Sequence, residues 1–516
     1  MTYYPDQVRW LEKAAVFKPK LLHDIIYPVR LVRVVSDPAA YQGWRVEDDP
    51  RELPWLDGAP LGNAESVILD FGEHHVGRLR LDIESDRGFN DAPVRLKLIF
   101  AEVPAELAEP FDPFTGGLSR NWLQDETITV DVLPAAVALP RRYAFRYVRI
   151  DTVGIPSAFR IKIRNIVCET AASVPQAITP MIPAGLSEGD HAIAEVSIRT
   201  LRDCMQTVFE DGPKRDRRLW IGDLRLQALA NSVSYRAFDL VRRCLYLFAG
   251  VAREDGFVPA CLYETPEPAN GQCYAVDYPA LYSATLADYV EHTGDEETGR
   301  ELLPVALRQL EILLGYRGAD GVYQEKGLWW FIDWHDTLGR QPCIQGLMLY
   351  CIRRAVALAE RLGMAAQAEP FAARIPELMK TARTMFVMNK PVPALASGQV
   401  SWGAWAWLTK GGAIFPGEAS LAFDRIRAMP DAVRPGGPYL MHYCLEALMD
   451  IGRADTALSL LREYWASMLA AGLDTFPEVW DVTDQKRSPY GTHLLNSHCH
   501  AWSCTPIWFF ARAASL

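Results

Sequence analysis

The chain has 516 residues, of which 49% are hydrophobic and 23% charged, and its formal net charge is −11. These proportions belong to globular chains and exclude wholesale disorder or a fibrous repeat. The acidic balance, with no Lys/Arg-rich tract, argues against a surface that grips nucleic acid. No apolar run approaches a membrane span and the N-terminus carries no secretory pattern, so no membrane association and a cytoplasmic location are expected. The ten cysteines stand singly, without a C-x-x-C pair, and read as reduced, mostly buried thiols.

In chain order, residues 21–170 alternate apolar and polar side chains in short runs: VILDFG at 67–72, RLRLDIE at 78–84, VRLKLIF at 94–100, TITVDVL at 127–133, 142–153 and 160–170. Gly, Pro, Asp and Asn separate them, which predicts an antiparallel β-sandwich. From about 187 the period becomes 3.6. Ten helical runs follow, near 189–210, 223–250, 279–293, 295–315, 342–363, 365–387, 417–429, 438–451, 453–471 and 497–514, with 400–410 an eleventh. Such runs pair antiparallel, and an (α/α)6 barrel, which needs twelve, is the expected architecture. The predicted organisation is a β-sandwich domain at 1–172, a linker at 173–186 and the barrel at 187–516.

Five stretches carry chemistry. EDGPKRDRRLWIGD at 210–223 sets Asp211, Asp216 and Asp223 among Arg215, Arg217 and Arg218. It reads either as a solvated loop or as carboxylates with tuned protonation. LWWFIDWHD at 328–336 is a sugar-binding rim or a loop packed on a barrel end. In DTFPEVWD at 474–481, Glu478 lies between Phe476 and Trp480, where lost hydration is expected to raise its pKa. NSHCHAWSCTP at 496–506 brings His498 and His500 beside Cys499, but with no third donor nearby a metal is not expected. Asp277, in CYAVDYP at 273–279, is a helix N-cap or a hydroxyl contact. The 15 Trp and 20 Tyr suit a pocket that stacks sugar C–H faces, or a large helical core.

The ordered set resembles the α-L-rhamnosidases of glycoside hydrolase family 78. VILDFGEHHVGRLRLDIE at 67–84 and YAFRYVRI at 143–150 are similar to that family's β-domain, and DGPKRDRRLWIGD, Asp333-Trp334, TFPEVW and SHCHAWS follow in the family's order. The first barrel motif is one residue short. Placing the gap after Pro213 keeps Trp220, Gly222 and Asp223 in register and puts the general acid on Asp216; a later gap would put it on Arg217, which cannot donate a proton at neutral pH. The resemblance thus implies a short, divergent member that hydrolyses terminal α-L-rhamnosides with inversion. Asp216 would be the acid and Glu478 the base. Asp211, Asp223, Asp277, Asp333 and His500 would meet ring hydroxyls, Arg215 and Arg217 would hold these acids ionised or bind a substrate carboxylate, and Trp220, Trp330, Trp334 and Trp502 would form apolar plates. It implies no metal and no cofactor, and a small-molecule or oligosaccharide glycoside as partner. A uronide-directed hydrolase or lyase on the same barrel, and a non-catalytic sugar-binding protein, are the alternatives.

Overall fold

The computed structural model describes residues 3–178, 181–386 and 398–515. The linker positions 179–180 and the end of the 365–387 helical run at 387 lie outside the described residues.

A leading helix (α1, Gln7–Val16) precedes nine strands: β1 (Ile25–Ile26), β2 (Arg30–Ser36), β3 (Trp44–Asp48), β4 (Ser66–Ser85), β5 (Val94–Ala101), β6 (Asp125–Val130), β7 (Ala135–Ala138), β8 (Tyr143–Gly154) and β9 (Ile161–Thr170). Two short helices, α2 (Leu53–Gly58) and α3 (Pro104–Ala108), interrupt them. All pairings are antiparallel, in the order β1-β9-β4-β8-β5-β6 with β2 and β7 also on β4 and β3 on β2. The runs 67–72 and 78–84, read from sequence as two strands, are one. Residues 66–70 and 75–77 of β4 pair with β8, and 68–70 also with β2, whereas 77–85 pair with β9 and 80–83 with β7. The register with β8 breaks between Asp70 and His75, where Gly72 takes φ +87°, and resumes at 75–77 before the strand passes on to β9 and β7. Leu69, Phe71, Leu81, Leu98, Ile150 and Ile163 fill the core between the layers.

The helical part begins at α4 (Glu188–Cys204) and continues with α5 (Ile221–Val233), α6 (Phe238–Gly250), α7 (Asp277–Thr293), α8 (Glu296–Leu314), α9 (Arg340–Arg361), α10 (Ala365–Ala372), α11 (Ile375–Thr384), α12 (Trp402–Lys410), α13 (Pro416–Ala428), α14 (Pro438–Asp450), α15 (Ala454–Ala470) and α16 (Pro506–Ala514). Contacts run α5–α7–α9–α12–α14 and from α16 back to α5, with His442 of α14 against Trp508 and Phe509 of α16 closing the ring. Of these six, α5, α7, α12 and α14 are buried almost all round, as inner helices must be, and α4, α6, α8, α10 with α11, α13 and α15 lie outside the ring. The 223–250 run hid two of these helices. The chain turns at Ser234–Ala237, where Arg236 has φ +55°, without the Gly or Pro that marks most breaks. The 497–514 run keeps its helix only from Pro506; its first half is irregular and lies in the site.

A three-stranded sheet of Leu219–Trp220 (β10), Cys261–Tyr263 (β11) and Ala269–Asn270 (β12) lies beside the ring at the end where the inner helices begin. No helix among the described residues is long and apolar enough to cross a membrane.

Candidate active site

The inner helices α5 and α7 start at one end of the ring, so their unpaired N–H groups and positive dipole ends face that end. Asp223 sits in the first turn of α5 and Asp277 in the first turn of α7. Loops 210–220, 328–336, 474–481 and 490–502 gather at the same end and enclose a small hollow.

Nine of the thirteen residues singled out from sequence line it: Asp211, Arg215, Asp216, Trp220, Asp223, Trp334, Glu478, His500 and Trp502. The hollow is acidic on one wall and aromatic on the other. A wider groove runs along the seam between sheet and barrel past Tyr41, Trp44, Arg146 and Trp480. The convergence of ionisable groups and rings is nevertheless at the small hollow.

Arg215 is the centre of the polar wall. Its Nη2 donates to Glu478 Oε2, its Nη1 lies 3.4 Å from Asp216 Oδ1, and its Nε donates to the Leu495 carbonyl at 3.0 Å. The guanidinium lies 4.0 Å from the centroid of the Tyr490 ring, and the Tyr490 hydroxyl donates to Glu478 Oε1. Glu478 is therefore held at both oxygens. Burial works to raise its pKa, but Arg215, His500 and the Tyr490 hydroxyl outweigh it and hold the carboxyl below its ordinary value. The expectation of a raised pKa is corrected by this fixed charge, which the sequence places 263 residues away.

Asp211 is buried and accepts the backbone N–H groups of Asp216 (3.2 Å) and Arg218 (3.1 Å), so it folds the acid loop back on itself. Burial, with Asp216 and Asp223 nearby, pushes its pKa up to about 7. Gly212 admits this turn: a Cβ there would lie 2.6 Å from the Arg215 carbonyl oxygen. Asp223 contacts His500 Nε2 at 3.1 Å and accepts the Tyr278 hydroxyl at 3.3 Å; burial raises its pKa, and His500 opposes the rise. Burial acts to lower the His500 pKa, but Asp223 and Glu478 raise it above the usual imidazole value. Trp502 donates its indole N–H to the Glu478 carbonyl at 3.0 Å and stacks on Phe331, which fixes both wall and base.

Four predicted residues do not line the hollow. Arg217 has φ +61°, which turns its side chain away from those of Arg215 and Asp216 and toward Arg142 and Glu210 at the sheet; burial and Arg142 lower its pKa to about 10. Asp277 accepts the backbone N–H groups of Ile332 (2.8 Å) and Phe331 (3.4 Å), so it fastens the aromatic loop from behind. Asp333 accepts the Gly436 N–H at 2.5 Å, and burial lifts its pKa to about 7. Trp330 is buried in the core, and its neighbours Trp329 and Phe331 line the hollow instead. Trp329 bridges to Ala275 in extended backbone, where successive side chains point to opposite sides. The choice between two adjacent tryptophans rested on no register.

Sequence reasoning missed Tyr278, Trp329, Phe331 and Tyr490. Tyr278 stands beside the flagged Asp277, and a Cβ at Gly222 would fall 2.4 Å from its ring, so that glycine in the flagged motif makes room for it. Tyr490 lies in a stretch, DQKRSPYGTH, with no periodic signal.

Two buried clusters have the donor types of metal sites: His74, Asp203 and Cys499, and Glu102, Glu106 and His498. The third donor missing next to His498 in sequence is thus supplied by distant residues. In both clusters the carboxylates already face cationic groups of the chain, Arg202 and His74 at Asp203 and Lys214 at Glu106.

Two family models match the chain. The N-terminal domain of glycosyl hydrolase family 78 α-rhamnosidases matches residues 28–170. The bacterial α-L-rhamnosidase six-hairpin glycosidase domain matches residues 191–401. Among solved structures, a rhamnosidase from Klebsiella oxytoca with rhamnose bound is 39% identical over 99% of both chains, with a TM-score of 0.93. The family 78 rhamnosidase of Bacillus sp. GL1 (20% identity, 91% of this chain and 49% of that one, TM-score 0.74) shares the fold. So does the Streptomyces avermitilis α-L-rhamnosidase complexed with L-rhamnose (17%, 96% and 44%, TM-score 0.68). The chain spans about half the length of these two. No curated protein matches.

Proposed function

The chain belongs to glycoside hydrolase family 78 and is a glycoside hydrolase, and on that premise we propose that it cleaves terminal α-L-rhamnosides with inversion. The observation that carries the reading is the pair Asp216 and Glu478 at the two sides of one guanidinium, inside a hollow walled by Trp220, Trp329, Phe331 and Trp502. One planar fork touches both carboxyl groups, so their nearest oxygens are at most about 8 Å apart. Inversion needs a spacing of about 6.5–9.5 Å, with room for a water between acid and base, and it rests here on the family reading.

In this mechanism Asp216, in its acid form, donates its proton to the glycosidic oxygen as the bond from that oxygen to the anomeric carbon breaks. Glu478 takes a proton from a water that attacks the anomeric carbon on the opposite face. Arg215 keeps Glu478 ionised and Tyr490 fixes its orientation. Asp211, Asp223 and His500 offer hydrogen bonds to ring hydroxyls, and the rings give the methyl group of a 6-deoxy sugar an apolar wall. Asp216 lining the hollow and Arg217 lying outside it support the motif alignment that puts the acid on Asp216.

The rhamnose-bound Klebsiella relative supports the choice of sugar. A panel of aryl glycosides led by the α-L-rhamnoside tests it: turnover confined to other sugars would overturn the reading. Proton NMR of the first product tests inversion, with β-rhamnose expected and α-rhamnose contradicting it.

A further inference from the structure

Beyond the sugar hollow, the small sheet beside it presents a continuous surface that the mechanism does not use. β10 pairs with β11 in the register Leu219↔Leu262 and Trp220↔Cys261, which, extended by one residue, sets Arg218 opposite Tyr263. Side chains two apart on a strand share a face, so Trp220, Arg218 and Tyr263 form one row. The row starts in the hollow at Trp220 and leads outward. The Arg218 guanidinium lies over the Tyr263 ring, 4.6 Å from its centroid, and its Nη1 is 3.9 Å from Asp216 Oδ2. Tyr263 is 40% exposed, although it follows two buried residues, and Trp329, across the hollow's mouth from Trp220 at 6.4 Å between ring centroids, is 38% exposed. The alternate residue Glu264 turns inward to Arg243, so this face of β11 is the outward one.

We infer that Arg218 and Tyr263 form the leaving-group subsite, which selects glycosides whose leaving group packs a flat face against the Arg218–Tyr263 stack and presents acceptor oxygens to the Arg218 N–H groups. The inference rests on the rhamnosidase reading and on Asp216 as the acid. The protonated oxygen must lie at Asp216, and Arg218, 3.9 Å from that carboxyl group and stacked on Tyr263, stands on the outward side of it, where a leaving group leading away from the sugar meets the pair. A phenolic ring and a second sugar share the required chemistry, a flat or C–H-rich face edged by oxygens. Both gain from a planar guanidinium held flat by the ring beneath it, with its donors at the edge, and a leaving group without a ring gains nothing.

The test compares wild type, Tyr263→Ala and Tyr263→Phe on three substrates: α-L-rhamnosyl fluoride, naphthyl α-L-rhamnoside and a rhamnosyl-glucose disaccharide. Fluoride reports the sugar hollow alone. In Tyr263→Ala, the ratio of kcat/KM on a ring-bearing substrate to that on the fluoride is expected to fall about three- to tenfold, while Tyr263→Phe keeps the wild-type ratio. A fall confined to the naphthyl glycoside assigns a phenolic leaving group, and a fall confined to the disaccharide assigns a sugar. An unchanged ratio on both substrates overturns the assignment. Wild-type enzyme that turns over no rhamnoside, the fluoride included, overturns the rhamnosidase reading and this subsite with it.

Discussion

Replacing Arg215 with Met separates the charge of the polar wall from its shape. Glu478 is fully buried, and burial alone would raise its pKa; the Arg215 guanidinium at its Oε2 is the largest influence opposing burial. Removing an opposite charge at contact distance raises a carboxyl pKa by about one to three units. His500 and the Tyr490 hydroxyl remain and restrain the rise. A base must be ionised to accept a proton, so the acid limb of the kcat/KM profile moves toward higher pH by at least about one unit. Each unit is a tenfold loss of active enzyme on the acid side, recovered at alkaline pH. The same substitution takes the guanidinium from a buried carboxylate, which costs up to about 3–5 kcal/mol of stability, so folding is checked by thermal unfolding in parallel. Arg215→Lys keeps the charge but loses the two-pronged geometry, and is expected to fall between wild type and Met. A folded Arg215→Met enzyme whose acid limb stays in place would refute the view that this arginine sets the protonation of Glu478.

Asp216→Asn is expected to lower kcat by about 10²–10⁴-fold with little change in Tm, because its side chain is 16% exposed and its two ion contacts are long; a nearly active variant would remove Asp216 as the acid. Trp329→Ala and Trp330→Ala separate neighbours: the first is expected to raise KM with little loss of stability, and the second to cost about 3–5 kcal/mol with KM preserved in the folded fraction. Equal effects on KM would show that the strand alternation has been misassigned. Asp333, with a pKa of about 7 when folded and 3.8 otherwise, is neutral in both states at low pH. Between those values the unfolded chain releases the proton and the folded one does not, so stability falls as pH rises, by roughly 4 kcal/mol in all. Asp333→Asn, which cannot ionise, is expected to show a shallower decline of Tm between pH 4 and pH 8; parallel curves would refute this.

The sandwich and the helical ring were legible because both rest on hydrophobic periods, which a sequence displays directly. What stayed hidden was junctions. The continuity of β4 runs through a register break at Gly72 that reads in sequence as a turn, and the split of α5 from α6 depends on a turn at Arg236 that carries no common breaker residue. The acid loop was legible as a motif, since three carboxylates among arginines are rare enough to notice. Its internal geometry was not: Arg217, at positive φ, lies outside the hollow that its neighbours Arg215 and Asp216 line. Glu478 was found through its aromatic neighbours, yet its protonation was misread, because Arg215 and Tyr490 reach it from other loops. Side chains that act through backbone contacts, such as Asp277 on the 331–332 amides, look in sequence like those that face a substrate.

The β-domain has a physical role in the site that its sequence does not suggest. Lys214, next to Arg215, is buried and donates to Glu106 in α3 and to the carbonyls of Leu494 and Asn496. Glu102, just after β5, accepts the His498 N–H at 2.7 Å and contacts His74, which reaches Asp203 of α4 at 2.7 Å. A buried ammonium and buried carboxylates are tolerable only when each meets its partner. The acid loop, the 494–500 segment behind Glu478 and the sheet at β4 and β5 are therefore bound into one network, and a shift of any of them would separate a buried charge from its partner. Because Lys214 and Asp216 are two residues apart, the sheet constrains the proposed proton donor almost as directly as the barrel does. That coupling accounts for the aromatic hollow being small and well defined although most of its lining comes from loops.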